Sequence, residues 1–148
     1  MTRIIRDAIA LLNRLIELDW RVIDTYRLAL ARAAAVDAPD AAQLAAFIAD
    51  HRRHIDELAL IVRNLGGEPQ SRSDLRGERG AVAAAALGDP AEPRAWRRAL
   101  STGEAQAMAA YEDAASRPGI PVDIVAALER GLRDEQRHCA WTAAPRIG

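Results

Sequence analysis

Apolar residues recur along this chain in steps of three and four, the rhythm of one face of an α-helix. Leu12, Leu15, Ile16, Val22, Ile23, Ala29 and Ala33 form one stripe, and Leu44, Phe47, Leu58, Ile61 and Leu65 form a second. Leu100, Ala107, Met108 and Ala114 mark a sparser third; Ile124, Leu128 and Leu132 mark a fourth. Pro and Gly gather near 39, 66–68, 77–93 and 118–121, which leaves helices at about 3–35, 39–65, 93–116 and 121–143. Pro39, Pro93 and Pro121 fall where a first helical turn tolerates Pro, and Gly66-Gly67 falls where a helix stops. No alternating β-branched run competes with this pattern. The short connections between helices one and two and between three and four predict antiparallel hairpins. The long 66–92 segment is a crossover with room for a short Ala-rich helix at Gly80–Leu87. The expected fold is all-α: an antiparallel four-helix bundle of two hairpins joined by one long crossover, in a single domain covering 1–148.

Several positions on these stripes are polar. Helix one carries Asp19 and Tyr26, helix two His51 and His54, helix three Glu104 and Tyr111, and helix four Glu135 and His138. Three carboxylates and three imidazoles are therefore expected to face the bundle interior. Burying an ionised carboxylate without a partner costs several kcal/mol even after relaxation. A domain with a total stability on the order of 5–15 kcal/mol cannot absorb six such penalties one at a time. A shared metal site compensates them together.

An internal repeat supports a common site. Asp19 precedes Tyr26 by seven residues, as Glu104 precedes Tyr111, and these are the only two tyrosines in the chain. The segment Asp50-His51-Arg52-Arg53-His54 aligns with Asp134-Glu135-Gln136-Arg137-His138. From Asp19 to His51 is 32 residues, and from Glu104 to Glu135 is 31. Two hairpins related by approximate twofold symmetry would bring both sets to one level.

These residues resemble the ferritin-like superfamily of di-iron carboxylate proteins, in which two helices each supply a Glu and two supply Glu-x-x-His. The pattern is similar above all to small bacterial ferritin-like proteins of unassigned function, some of them stress-related, and extends over nearly the whole chain. The resemblance implies that Glu104 is a terminal carboxylate ligand, Glu135 a bridging carboxylate and His138 a terminal imidazole. It likewise implies Asp19 and His54 as the terminal ligands of the other half, with Tyr26 and Tyr111 beside the site as hydrogen-bond partners or electron donors. Iron, as a di-iron pair, and O2 or H2O2 are the implied cofactor and co-substrate, with ferroxidase-like oxidoreductase activity. The chain departs from the pattern in two places. Asp19 is one methylene shorter than Glu, and His51 stands where the family has its second bridging Glu, so a single-nitrogen contact to one metal is expected there. Three carboxylates supply −3 where the family has −4, and His-rich ligation also suits zinc or manganese. A single metal or an asymmetric pair therefore remains open.

The alternative is a non-catalytic stress-related or interaction protein. It would hold one structural zinc, or a relic network of Asp19–His54 and Glu104–His138 hydrogen bonds without metal. The 16.1 kDa chain is half apolar and 28% charged, enough to bury a core. Its net charge of −1 gives no electrostatic footprint for nucleic acid or an anionic membrane. Asp7, Asn13, Arg14, Glu17 and Asp19 interrupt every apolar run near the N-terminus, against a secretory signal or a membrane span. One cysteine, Cys139, excludes an internal disulfide, fits a reducing, cytoplasmic setting and is expected to pack as a small buried side chain. Arg52-Arg53 with Arg97-Arg98, and Arg130, Arg133 and Arg137, are expected on solvated helix faces, paired with nearby Asp and Glu. Trp20, Trp96 and Trp141 are expected over the bundle or at an oligomer contact, and a homodimer joined through an apolar helix face is the expected assembly. With the fourth helix ending near Ala143–Pro145, a fifth helix of the kind that large iron-storage shells carry is not expected.

Overall fold

The computed structural model describes residues 1–32, 38–72 and 95–144. Four α-helices account for most of them: α1 (Arg3–Arg32), α2 (Ala38–Asn64), α3 (Ala95–Ala115) and α4 (Val122–Ala143). No strand occurs among the described residues. The principal contacts pair α1 with α2 and with α3, and α4 with α3 and with α2, so the helices enclose one interior. Ala33 and the proposed short helix at Gly80–Leu87 lie outside the described residues.

The stripes read from the sequence form the core, with one shift. Leu12, Leu15, Ile16, Val22, Ile23 and Ala29 of α1 are all buried. On α2, Val62 is fully buried, while Ile61 and Leu65 are half-buried. The reason is helical drift: at 3.6 residues per turn, Val62 returns to the azimuth of Leu44, whereas a strict seven-residue repeat points to Ile61. Met108 and Leu132 also flank the core rather than fill it.

The helix ends follow local chemistry. Thr2 Oγ1 accepts a hydrogen bond from the Ile5 amide at 3.2 Å, capping α1. α2 stops in a Schellman turn, with Gly67 N–H donating to the Val62 carbonyl and Gly66 N–H to the Arg63 carbonyl, both at 2.9 Å. Gly66 takes φ +87°, the left-handed conformation this turn requires. Pro121 has extended backbone just ahead of α4 rather than opening its first turn. Its carbonyl still accepts the first helical bond, from Val125 N–H at 3.0 Å.

No helix among the described residues is long and apolar enough to cross a membrane. The large apolar side chains exposed among them are Met1, Ile4, Leu60 and Val122. Trp20, Trp96 and Trp141 are half-buried and pack against the core.

Candidate metal centre

All six polar positions expected to face inward do so. Asp19, His51, Glu104, Glu135 and His138 are 0% exposed and His54 is 3% exposed, deeper than many aliphatic residues of the core. Helical spacing places them: each helix brings its polar pair to the stripe that otherwise carries Leu, Ile, Phe and Ala. Two overlapping groups result, Asp19–His51–His54–Glu135 and His51–Glu104–Glu135–His138. Within each, one donor atom per residue lies within 4.8 Å of the others.

Two tyrosines cross the interior to reach these carboxylates. Tyr26 of α1 donates to Glu104 Oε1 of α3, and Tyr111 of α3 donates to Asp19 Oδ2 of α1 at 2.6 Å. Burial, and then the negative charge of the accepting carboxylate, push both phenols well above their usual range, so both remain donors. Gly131 gives Tyr111 its room: a Cβ there would stand 2.6 Å from the ring. Phe47 forms part of the wall, its ring centroid 4.1 Å from that of His138, 6.2 Å from Tyr26 and 5.5 Å from Trp141.

The imidazoles are held from outside. His54 Nε2 lies 2.8 Å from Asp134 Oδ2, and His138 Nε2 lies 2.8 Å from Asp50 Oδ2. An ionised carboxylate only accepts, so each Nε2 carries the proton and each Nδ1 faces the interior. Arg53 and Arg137 fix the two aspartates in turn. Arg53 contacts Asp134 at 2.7 Å and Asp50 at 3.1 Å; Arg137 contacts Asp50 at 2.6 Å and Asp134 at 3.2 Å. Both arginines are solvated, as expected, at 58% exposure, while Asp50 and Asp134 are mostly covered; Arg97, expected on a solvated face too, is 12% exposed because it stacks on the Trp141 ring at 4.3 Å and donates to the Trp141 carbonyl. Asp50 and Asp134, which align in the internal repeat, are functional positions not among the expected site residues. Their recurrence four residues before a histidine, one helical turn, was the signal.

The hydrogen bonds differ from those expected of a relic network. His54 Nδ1 is 3.5 Å from Asp19 Oδ1 and His138 Nδ1 is 3.3 Å from Glu104 Oε1, and neither nitrogen makes a hydrogen bond. His51 is the residue that bonds these carboxylates, with Nδ1 at 2.7 Å from Asp19 Oδ1 and Nε2 at 3.0 Å from Glu104 Oε1. Five buried polar atoms therefore lack hydrogen-bond partners at one place: His54 Nδ1, His138 Nδ1, Glu104 Oε2 and both oxygens of Glu135. Buried polar groups are rarely left so. A metal ion held among them would satisfy them. Bonds of about 2.0–2.1 Å at a tetrahedral angle separate two ligands by about 3.4 Å, too far for a good hydrogen bond. His54 Nδ1 stands 3.5 Å from both Asp19 Oδ1 and Glu135 Oε1, and His51 Nδ1 stands 3.4 Å from Glu135 Oε1. These spacings and the mixed N/O donor set fit a transition-metal ion.

Without metal, protons fill part of this role. Burial raises the Glu135 carboxyl, and the neighbouring Glu104 and Asp19 charges add to it, giving about 10 despite the opposing contact with His54. Burial depresses His51, but Glu104 and Asp19 more than offset it and bring it up to about 10. His54 also reaches about 10, burial being outweighed by Asp19, Glu135 and Asp134. Burial alone would raise Asp19 and Glu104; their histidine neighbours win and hold both below the usual carboxylate range. Cys139 is half-buried rather than sealed in the core, with its thiol pushed by burial up to about 11.

The buried His/Asp/Glu cluster can bind a metal ion. No protein-family model matches this chain, and no curated protein matches it.

Proposed function

We propose that this is a ferritin-like di-metal protein: an antiparallel bundle of two hairpins, in one domain, that handles iron together with O2 or H2O2. The observation carrying the reading is the convergence of five buried polar atoms without hydrogen-bond partners, from Glu104, Glu135, His54 and His138. Pairing of Asn13 Nδ2 with the Glu68 carbonyl at 2.9 Å and of Asp19 with His51 supports a hairpin of α1 and α2 running in opposite directions. Asp19, His51, His54, Glu104, Glu135 and His138 would hold the metals, which supply one-electron redox chemistry toward oxygen species when bound.

The remaining roles belong to the chain. Asp50 and Asp134 keep the proton on Nε2 of His138 and His54 and leave Nδ1 free to ligate. Tyr26 and Tyr111 hold their protons on the phenol oxygen, orient Glu104 and Asp19, and are the nearest oxidisable side chains. Phe47 and the surrounding aliphatic core keep bulk water out, which strengthens each electrostatic contact inside.

Anaerobic titration with Fe2+ followed by oxygen tests the reading. Saturable binding at stoichiometric levels, then ferric absorbance absent from Glu135→Ala, is the expected result. No binding, or the same absorbance in Glu135→Ala, overturns it.

The three imidazoles favour one competing reading, a structural zinc in a non-catalytic protein. Tightly held zinc in protein purified without added metal, with melting unchanged by Fe2+, selects that alternative. A cytoplasmic location and homodimeric assembly complete the proposal.

A further inference from the structure

The two donor groups share two residues, and the way they share them is specific. Glu135 turns Oε1 toward His51 and His54, at 3.4 and 3.5 Å, and Oε2 toward His138, at 3.8 Å. His51 does the same with its ring: Nδ1 faces Asp19 and Glu135, and Nε2 faces Glu104. Asp19 pairs with Glu104 and His54 with His138 in the repeat, and His51 occupies the position that matches Glu135. The cluster thus divides into two sets of like composition. One holds Asp19, His54, Glu135 Oε1 and His51 Nδ1; the other holds Glu104, His138, Glu135 Oε2 and His51 Nε2.

We infer that His51 is a bridging ligand, binding one metal ion through Nδ1 and a second through Nε2, opposite the carboxylate bridge of Glu135. The inference rests on the metal-binding reading above and reverses the single-nitrogen role expected from the sequence. Its basis is geometric: His51 is fully buried between two carboxylates on different helices, with a ring nitrogen within 3.0 Å of each. Each of those carboxylates belongs to a different donor group. The two ring nitrogens thus face the two donor groups; metal loading would replace the hydrogen bonds at 2.7 and 3.0 Å and open each pair to the roughly 3.4 Å that two ligands of one ion require.

Charge balance agrees. Asp19, Glu104 and Glu135 contribute −3, and a histidinate makes the ligand shell −4, equal and opposite to two divalent ions. On loading, both ring N–H bonds of His51 break, two nitrogen–metal bonds form, and the protons leave to buffer; no electron moves. A coordinated cation makes such deprotonation favourable, as it does for bound water and thiols.

The test uses Zn2+ for stoichiometry and Cu2+ for coupling, on the full metal-free chain. The expected result is two ions per chain and, for the copper form, a spin-coupled pair in electron paramagnetic resonance rather than two isolated-ion spectra. His51→Gln, which cannot act as an anionic bridge, is expected to weaken the second Zn2+ by more than about 100-fold, beyond the 10–100-fold typical of losing an outer partner. It should also return the isolated-ion copper spectrum. His51→Glu restores a bridging carboxylate and is expected to keep two ions, with melting of the metal-free variants reporting their folding. One ion per chain, two uncoupled copper ions, or a coupled pair surviving in His51→Gln overturns the bridge and leaves metal binding standing. No metal uptake by the wild-type chain overturns both.

Discussion

At the scale of single residues, the site depends on side chains that never face its centre. Asp50 and Asp134 are each bonded to a histidine on the opposing helix and to two arginines. Asp134→Asn keeps the shape but can present an amide donor to His54, which frees the ring to turn or change tautomer. Metal affinity measured by chelator competition is expected to fall about 10–100-fold in Asp134→Asn and by a similar factor in Asp50→Asn. Unequal effects would mean that the two halves of the repeat are not equivalent. The six inward residues were legible because a helical period projects any residue onto a face, whatever its chemistry. Which polar pairs bond across the interior was not legible. The expected Asp19–His54 and Glu104–His138 bonds gave way to His51 bridging both carboxylates, because His54 and His138 are turned outward to aspartates on neighbouring helices.

At the scale of helices, two small residues set what their elements can do. Gly131 of α4 lies under the Tyr111 ring of α3, where an added methyl would stand 2.6 Å and 2.9 Å from ring carbons. Gly131→Ala is expected to cost about 1–3 kcal/mol, read from denaturant unfolding, because the ring must move in a packed core. Moving it also pulls the hydroxyl from Asp19, so the variant should bind metal more weakly. Gly66→Ala is expected to cost roughly 1–2 kcal/mol for the left-handed backbone at the end of α2, with metal affinity unchanged. Of these, Gly66 was readable as a helix stop from its place after an apolar run. Gly131 was not, since its constraint comes from a tyrosine 20 positions earlier on another helix. The same limit explains Val62: a seven-residue rhythm drifts by about 20° per heptad, so Ile61, two heptads after Phe47, has turned to the edge of the buried face while Val62 lies at its centre.

At the scale of the whole molecule, the buried cluster ties folding to protons and, on the proposed metal-binding reading, to metal with the opposite sign. In the metal-free chain His51 and His54 titrate near 10 instead of 6.5, and Glu135 near 10 instead of 4.5. Between pH 6.5 and 10 the folded state therefore holds protons that the unfolded chain has released, and stability must fall as pH rises through this window. Asp19 and Glu104, held below the usual range, act only in acid, where their contribution is lost as they protonate. Metal binding reverses the first effect. Ligating imidazoles and carboxylates are deprotonated, so below about pH 6.5 the unfolded chain binds more protons than the loaded fold, and stability rises with pH there. Thermal melts from pH 6.5 to 10 are expected to show the chelated chain losing roughly 5 °C or more while the zinc-loaded chain does not fall, and rises where His51 is a histidinate, because the unfolded imidazole keeps a proton that the loaded fold has lost. At any one pH the loaded form should melt higher as free metal increases. Identical slopes with and without zinc would mean that the proton-binding groups and the metal-binding groups are not the same residues.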